Sequence, residues 1–411
     1  MSEGLKGNAV IGQSGGPTAA INASLSGILR GVFAESCIEE VYGMKHGIDG
    51  ILNDNLIKIN PLSEEEHISL EATPSCALGS CRRKLPDPEG ADLSVYERIF
   101  KVFSKYNIRY FFYIGGNDSM DTVHKLATYA KERDYDIKLM GVPKTIDNDL
   151  ACTDHSPGFG SAAKYIATTV QEICRDCAVY QIKAITIVEI MGRDTGWLAA
   201  SSGLPRLAGG LSPDLIYLPE VVFDAEEFIS SVNKIFETKP NIVVAVSEGI
   251  RDIDGKYVGE SQQSGAVDIF GHKYLAGAAR VLEELVNDKI GCKVRSVELS
   301  LPQRCAGHCV SACDIDEAVQ VGKEAVKVAV DYPSKNGGIM VFNRIEKDEY
   351  QVNIDVVNVF NVANRVSRVE KKYINEEKNN VSDELLYRIL PLIQGEKEIP
   401  MKNGLPVHFE F

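Results

Sequence analysis

Residues 109–149 read RYFFYIGGNDSMDTVHKLATYAKERDYDIKLMGVPKTIDND, and the fold turns on this stretch. An apolar run, Arg109–Ile114, stops at GGNDS, residues 115–119, and opens an amphipathic segment that continues to about Lys131. A second apolar run, Ile137–Val142, ends abruptly in PKTIDND, residues 143–149. Strand, turn, helix and strand in that order make a βαβ unit. The same grammar recurs outward from it. Asn8–Gln13 runs into SGGP and a helix from about Ala19 to Phe33. Lys183–Ile190 runs into MGRDTG, Asn241–Val246 into SEG, and Lys293–Leu299 into PQR. Amphipathic helices are expected over 94–106, 160–179, 224–237, 271–287 and 314–331. Such alternation predicts an α/β fold with mostly parallel sheets flanked by helices on both faces. Ligands of such sheets bind beyond the carboxyl ends of the strands, and every one of these motifs sits at such an end.

Composition narrows the function classes. A chain of 411 residues with 44% hydrophobic and 25% charged residues is long enough for two or three cores. No run of eighteen apolar residues predicts a membrane span, and the start lacks a signal peptide's apolar stretch, so a cytoplasmic protein with no membrane partner is expected. A net charge of −14 argues against nucleic-acid binding, which demands excess Lys and Arg. A few focused cations can still hold a small anion, and Arg82-Arg83-Lys84 is the densest such cluster. The ten cysteines read as reduced thiols. Cys174 and Cys177 form one CxxC without a second, and Cys305, His308, Cys309 and Cys313 do not match a structural zinc pattern. The polar stretch Asp147–Pro157 is the best domain boundary, and the segment from about Glu346 reads as an addition.

There is no GxxxxGK[ST] loop and no protein-kinase signature. Gly158-Phe159-Gly160-Ser161-Ala162-Ala163 fits a dinucleotide pattern, but TDHSP rather than a strand precedes it, so a structural role is expected. Gly15-Gly16 alone would be a tight turn; after a first strand and before a helix it can also bring backbone to a phosphate. In GGNDS, Asn117 or Asp118 could ligate a phosphate-bound Mg²⁺, against the plainer reading of helix capping. PKTIDND carries the sharpest chemistry: a carboxylate able to accept a proton from a hydroxyl, and a lysine able to neutralise a moving phosphoryl group. Arg193 in MGR and Glu248 in SEG suit a sugar phosphate, one through its guanidinium fork and the other by accepting hydroxyl hydrogen bonds.

The ordered set SGGPTAAIN, ALGSCRR, GGNDS, PKTIDND, MGR, SEG and PQR resembles the phosphofructokinases, especially their pyrophosphate-dependent branch, from about Asn8 to Ala329. The resemblance implies two similar lobes with the active site in the cleft between them. Residues 1–157 with about 316–345 would form a pyrophosphate- and magnesium-binding lobe. Residues 158–315 would form the sugar-phosphate lobe, and 346–411 a C-terminal extension. It implies fructose 6-phosphate and pyrophosphate as substrates, Mg²⁺ as cofactor, and a homodimer or homotetramer. Asp147 would be the base at the sugar's 1-hydroxyl, with Lys144, Asp118 and Arg193 completing the catalytic set. Gly15, Arg82 and Lys144 would hold diphosphate, and Thr145, Asp147, Met191, Gly192, Arg193, Glu248 and Arg304 the sugar phosphate.

Two positions speak to the donor. ATP-using members commonly carry glycine where Asp118 and Lys144 stand; a carboxylate at 118 adds bulk and charge against a nucleotide's α-phosphate. The rival readings are an ATP-dependent 6-phosphofructokinase and a non-catalytic sugar-phosphate sensor. The chain departs from the family pattern at Asn117, often aspartate, at Ala184, often arginine, and in CAGHCVSACD after Arg304.

Overall fold

The computed structural model describes residues 4–262, 277–347 and 349–411. In chain order the elements are β1 (Gly7–Gln13), α1 (Ile21–Val32), β2 (Ile38–Met44), α2 (Ile48–Leu52), β3 (Leu56–Ile59), α3 (Glu64–Ala72), α4 (Ser94–Lys105), β4 (Ile108–Gly115), α5 (Asn117–Glu132) and β5 (Lys138–Pro143). Then come α6 (Phe159–Ala178), β6 (Ala184–Ile190), α7 (Trp197–Ser201), β7 (Leu215–Tyr217), α8 (Ala225–Phe236), β8 (Asn241–Ser247), α9 (Ala278–Lys289), β9 (Lys293–Glu298), α10 (Pro302–Cys305), α11 (Ala312–Asp331), β10 (Gly338–Ile345), β11 (Gln351–Asn358) and α12 (Asp383–Ile389). Of the helix expected over 271–287, residues 271–276 lie outside the described residues, and α9 starts at Ala278 after an N-cap at Gly277 in the left-handed region (φ +96°). No helix among the described residues is long and apolar enough to cross a membrane.

Two large sheets organise the molecule, and a two-stranded antiparallel ribbon, Met401–Lys402 with Leu405–Pro406, lies near the end of the chain. The larger runs β11-β10-β5-β4-β1-β2-β3 and the smaller β7-β8-β6-β9. All described pairings in the smaller sheet are parallel; in the larger, only the two edges, β2–β3 and β10–β11, are antiparallel. The chemistry of β4, IRYFFYIG, explains its central place: every residue but Arg109 is buried, as a strand covered by helices on both faces must be. The chain leaves β1 towards β2 on one side and returns to β4 on the other, which opens a crevice at their carboxyl ends. Gly15-Gly16 and GGNDS flank that crevice.

After the small sheet the chain crosses back. α11 lies against α1 so closely that a Cβ on Gly27 would come within 2.0 Å of Val319 O, and one on Gly322 within 2.4 Å of Ser24 O. Glycine at both positions is what lets the two backbones touch. The N-terminus of α6, which carries the dinucleotide-like glycines, is closed from within. Asp314 of α11 accepts from Gly158 N (2.8 Å), Ser161 N (3.0 Å) and Ser161 Oγ (2.5 Å). A buried carboxylate of the chain itself thus sits where a phosphate would sit on a helix N-terminus.

Residues 346–411 are built into both halves. β11 adds the last strand to the larger sheet. Leu385, Leu386, Ile389 and Leu392 then pack into the core of the smaller half beside Val188, Ile190, Leu198 and Ala245. Its polar fastener is a buried cluster: Asp154 pairs with His155, Arg344 and Arg388, while His155 and Tyr350 each bond Glu317 at 2.7 Å.

Candidate active site

The carboxyl ends of the two sheets face one cleft of about 400 Å³. From the larger sheet come Gly15, Arg82, Asn117, Asp118, Lys144, Thr145 and Asp147. Met191, Arg193, Glu248 and Arg304 come from the smaller half. Gly192 is the one expected residue outside this lining. Its φ of +136° and the 2.5 Å that would separate a Cβ from Thr195 O demand glycine there. Its N–H donates to Glu248 Oε1 at 3.2 Å, and its carbonyl accepts from Ser247 Oγ at 2.5 Å, so it locks MGR to SEG. Gln303, buried in α10, accepts from Met191 N at 3.1 Å and locks MGR to PQR as well.

The phosphate turn differs in detail from a bare-amide cradle. Gly15 has φ +77°, and its N–H is spent on Cys81 O at 3.2 Å. What it offers the cleft is an absence of side chain. Beneath it Lys144, at the end of β5, is almost wholly buried, with Nζ donating to Ser14 O (3.0 Å) and Gly16 O (2.5 Å). Burial pulls this ammonium down to about 8, against the raising influence of Cys76, Asp147 and Asp149. Arg304 arrives from the opposite half: a Cβ on Gly16 would meet its Nη1 at 3.6 Å. Burial, then the nearby Arg82, lowers the Arg304 guanidinium from its ordinary value. Two arginines brought together beside a glycine turn make a place for a multivalent anion.

The carboxylates face this positive wall. Burial raises Asp147, opposed chiefly by Arg193 and reinforced by Asp194. Asp147 N–H donates to Thr145 Oγ1 at 3.1 Å, and Asp147 O accepts from Thr195 Oγ1 at 2.8 Å, which pins the loop to α7's approach. Burial pushes Glu248 to about 8 despite the bond from Gly192. Among the described residues, Arg193 Nε is buried without a hydrogen-bond partner. A buried guanidinium N–H left unmet at a cleft wall is a binding group in want of an oxygen.

Comparison with known proteins agrees with this geometry. The family profile for phosphofructokinase matches residues 8–329. The chain belongs to the phosphofructokinase family. A pyrophosphate–fructose 6-phosphate 1-phosphotransferase of Halomonas elongata is 38% identical to this phosphofructokinase over 97% of the chain and 94% of the relative. One of Xanthomonas campestris pv. campestris, of the same name, is 38% identical over 97% and 95%. The crystal structure of a pyrophosphate-dependent phosphofructokinase from Nitrosospira multiformis superposes with a TM-score of 0.88 at 34% identity, covering 98% of this chain and 96% of that one.

Several lining residues of this phosphofructokinase were not singled out from sequence: Thr18, Ser119, Asp149, Asp194, Thr195, Asn364 and Val366. Asp149 was within reach, since it lies in the same PKTIDND segment. Asn148 takes φ +52°, a left-handed conformation asparagine tolerates, and turns the chain so that Asp147 and Asp149 both line the cleft. Asn364 and Val366 carried no usable signal, because they belong to the extension.

The residues fit a magnesium ion of the kind that phosphates bring with them. Such an ion takes one or two carboxylates and completes its shell with water and phosphate oxygens. Asp118 and Asp149 supply hard oxygen donors on the cleft wall, and Asp149 Oδ1 is a buried oxygen without a partner among the described residues. Burial and then Asp147 raise Asp149 to about 7, the mark of a carboxylate short of positive charge.

Proposed function

We propose that this protein catalyses reversible transfer of a phosphoryl group from pyrophosphate to the 1-hydroxyl of fructose 6-phosphate, giving fructose 1,6-bisphosphate and phosphate. The observation that carries the reading is the single cleft in which Asp147 and Arg193 face the Lys144–Gly15–Gly16 turn with Asp118 beside it. The near full-length similarity to enzymes named for this reaction supports it.

In this reading the larger-sheet half, residues 1–157 with about 316–345, holds diphosphate, and residues 158–315 hold the sugar phosphate. Asp147 accepts the proton of the 1-hydroxyl, whose oxygen attacks phosphorus in line as the bridging P–O bond breaks and phosphate leaves. Burial penalises the charged form of Asp147 and so makes its carboxylate more basic for this task. Lys144, fixed by two carbonyls, presents its charge to the diphosphate without a search through rotamers. Arg82 and Arg304 steady the anion, and Arg193 bridges the two halves at the reacting centre. Mg²⁺, held by Asp118 and Asp149, would neutralise phosphate charge. Glu248, Thr145 and Met191 shape the sugar pocket. Asp118 on the donor wall opposes the α-phosphate of a nucleotide by bulk and charge.

A homodimer or homotetramer is the assembly we assign. It is supported by Val179, Tyr180 and Ile182, large apolar side chains exposed together at the amino end of β6. The deciding experiment supplies purified protein with Mg²⁺, fructose 6-phosphate and either pyrophosphate or ATP. Turnover with pyrophosphate supports the reading. Turnover with ATP alone replaces it with the ATP-dependent activity, and binding without turnover with either donor replaces it with a sensor.

A further inference from the structure

The C-terminal extension does more than cover the core, because one stretch of it enters the cleft. Asn364 and Val366 line the cavity alongside Asn117 and Asp118. Asn117 is gripped at both ends of its amide: Oδ1 accepts from Asn364 N at 2.5 Å, and Nδ2 donates to Arg365 O at 2.6 Å. Asn364 has φ +60°, and its own Nδ2 donates to Asp121 Oδ1 at 2.9 Å, one turn further along α5. Past it, Val366 bridges to Leu150, and Ser367 N donates to Asp149 O at 2.7 Å. One short segment therefore holds the first turn of α5 on one flank and the IDND loop on the other.

We propose that Asn117 is a positioning residue, whose amide clasps the backbone of residues 364–365 and so fixes the turn that aims Asp118 at the donor phosphates. The inference rests on the proposed reading that this turn serves the diphosphate. The chemistry at 117 selects an amide. The Asn364 N–H can only donate and the Arg365 carbonyl can only accept, so the side chain between them must do both. A carboxylate cannot donate, and would set a second oxygen against the Arg365 carbonyl. The clasp leaves the oxygen chemistry of the donor site to Asp118 and Asp149.

A clasp and a metal ligand make opposite predictions for Asn117→Asp. A ligand would tolerate or profit from the added charge; a clasp would be broken by it. Wild type, Asn117→Asp and Asn117→Ala are compared by varying pyrophosphate and fructose 6-phosphate separately, and by amide hydrogen exchange over residues 359–369. We expect Asn117→Asp to raise KM for pyrophosphate about tenfold or more, with KM for fructose 6-phosphate within about twofold, since one or two hydrogen bonds are at stake. Exchange over 359–369 should accelerate by about the same factor. Asn117→Ala, which removes bonds without adding repulsion, should be the milder variant. Asn364→Gly keeps the left-handed backbone and deletes only the bond to Asp121, and should show the same split at smaller size. Unchanged exchange in Asn117→Asp overturns the clasp. Equal shifts in both KM values, or Asn117→Ala being the worse variant with lower Mg²⁺ affinity by titration, overturn the positioning role. If wild type does not turn over pyrophosphate, the donor reading fails, while the exchange comparison still judges the clasp.

Discussion

Two buried charged clusters of the molecule behave in opposite ways. Around Asp154, charges are matched. Burial would raise this carboxyl, but His155, Arg344 and Arg388 hold it below its ordinary range. Burial would likewise lower His155, yet bonds to Asp154 and Glu317 lift it to about 9. Both shifts favour the ionised form, while burial and the bond to Glu317 hold Tyr350 as a neutral phenol. In the cleft, Lys144 falls to about 8, Asp149 rises to about 7 and Glu248 to about 8, each with burial as the leading cause. Every shift there favours the neutral form. Groups that are fully paired within the fold fasten it; groups desolvated and left short of partners are waiting for substrate. The first cluster ties the extension to the rest of the chain, and the second lines the cleft proposed for the reaction.

The contrast breaks most readily at Asp147. Asp147→Ala should cut kcat by about a thousandfold or more, the scale of a lost general base. Fructose 6-phosphate binding by calorimetry should persist and the melting temperature should not fall. A variant with near-normal kcat would remove Asp147 from the role of base. The mirror experiment is Asp154→Ala, which strands His155 and Arg344 in the interior. Its unfolding free energy should drop by about 3 kcal/mol, as when one partner of a buried ion pair is removed. In denaturant titrations that loss should appear while kcat of the folded enzyme stays within about twofold. If Asp154→Ala instead abolished activity without loss of stability, the division between the two clusters would be mistaken.

Donor choice sharpens the comparison at a third position. Asp118→Gly should lower kcat/KM for pyrophosphate and raise that for ATP, each by about tenfold, the worth of one repulsive element. The smallest effects are those of pH. His155 is raised from 6.5 to about 9, so its contribution to stability is complete below pH 6.5 and fades as pH climbs through 9. Asp154 is lowered from 3.8, so its contribution is present above that value and fades as pH falls further. Urea midpoints across pH should therefore bend down at both ends, and Asp154→Asn should flatten both bends. For catalysis the alkaline limb of kcat/KM should lie near pH 8, where the free enzyme's Lys144 loses its charge. Lys144→Arg should shift that limb upward or remove it.

Most of the site was legible because its residues cluster in short motifs at strand ends. A βα turn places neighbours in sequence beside one another in space, so PKTIDND reads as one functional loop from the order of its residues. Asp149 was overlooked there because only the left-handed Asn148 between the aspartates turns both of them into the cleft. The extension was not legible. Its segments bury their apolar faces against two different cores, and nothing local distinguishes Leu385 and Leu386 from residues of an independent helix.

What the sequence by itself determined was the alternation of strands and helices, the location of the chemistry at their carboxyl ends, and the kind of reaction those side chains suit. The first two follow from hydrophobic period and turn chemistry, which act over a few residues; the third follows from the side chains in those motifs and their resemblance to the phosphofructokinases. Only the tertiary structure decided what residues far apart in the chain do to one another. It matched Asp154 with Arg388, filled the α6 N-terminus with Asp314, and closed the amide of Asn117 on the backbone of residues 364 and 365. Desolvation and hydrogen bonding depend on neighbours in space, and for these groups the neighbours arrive from the far end of the chain.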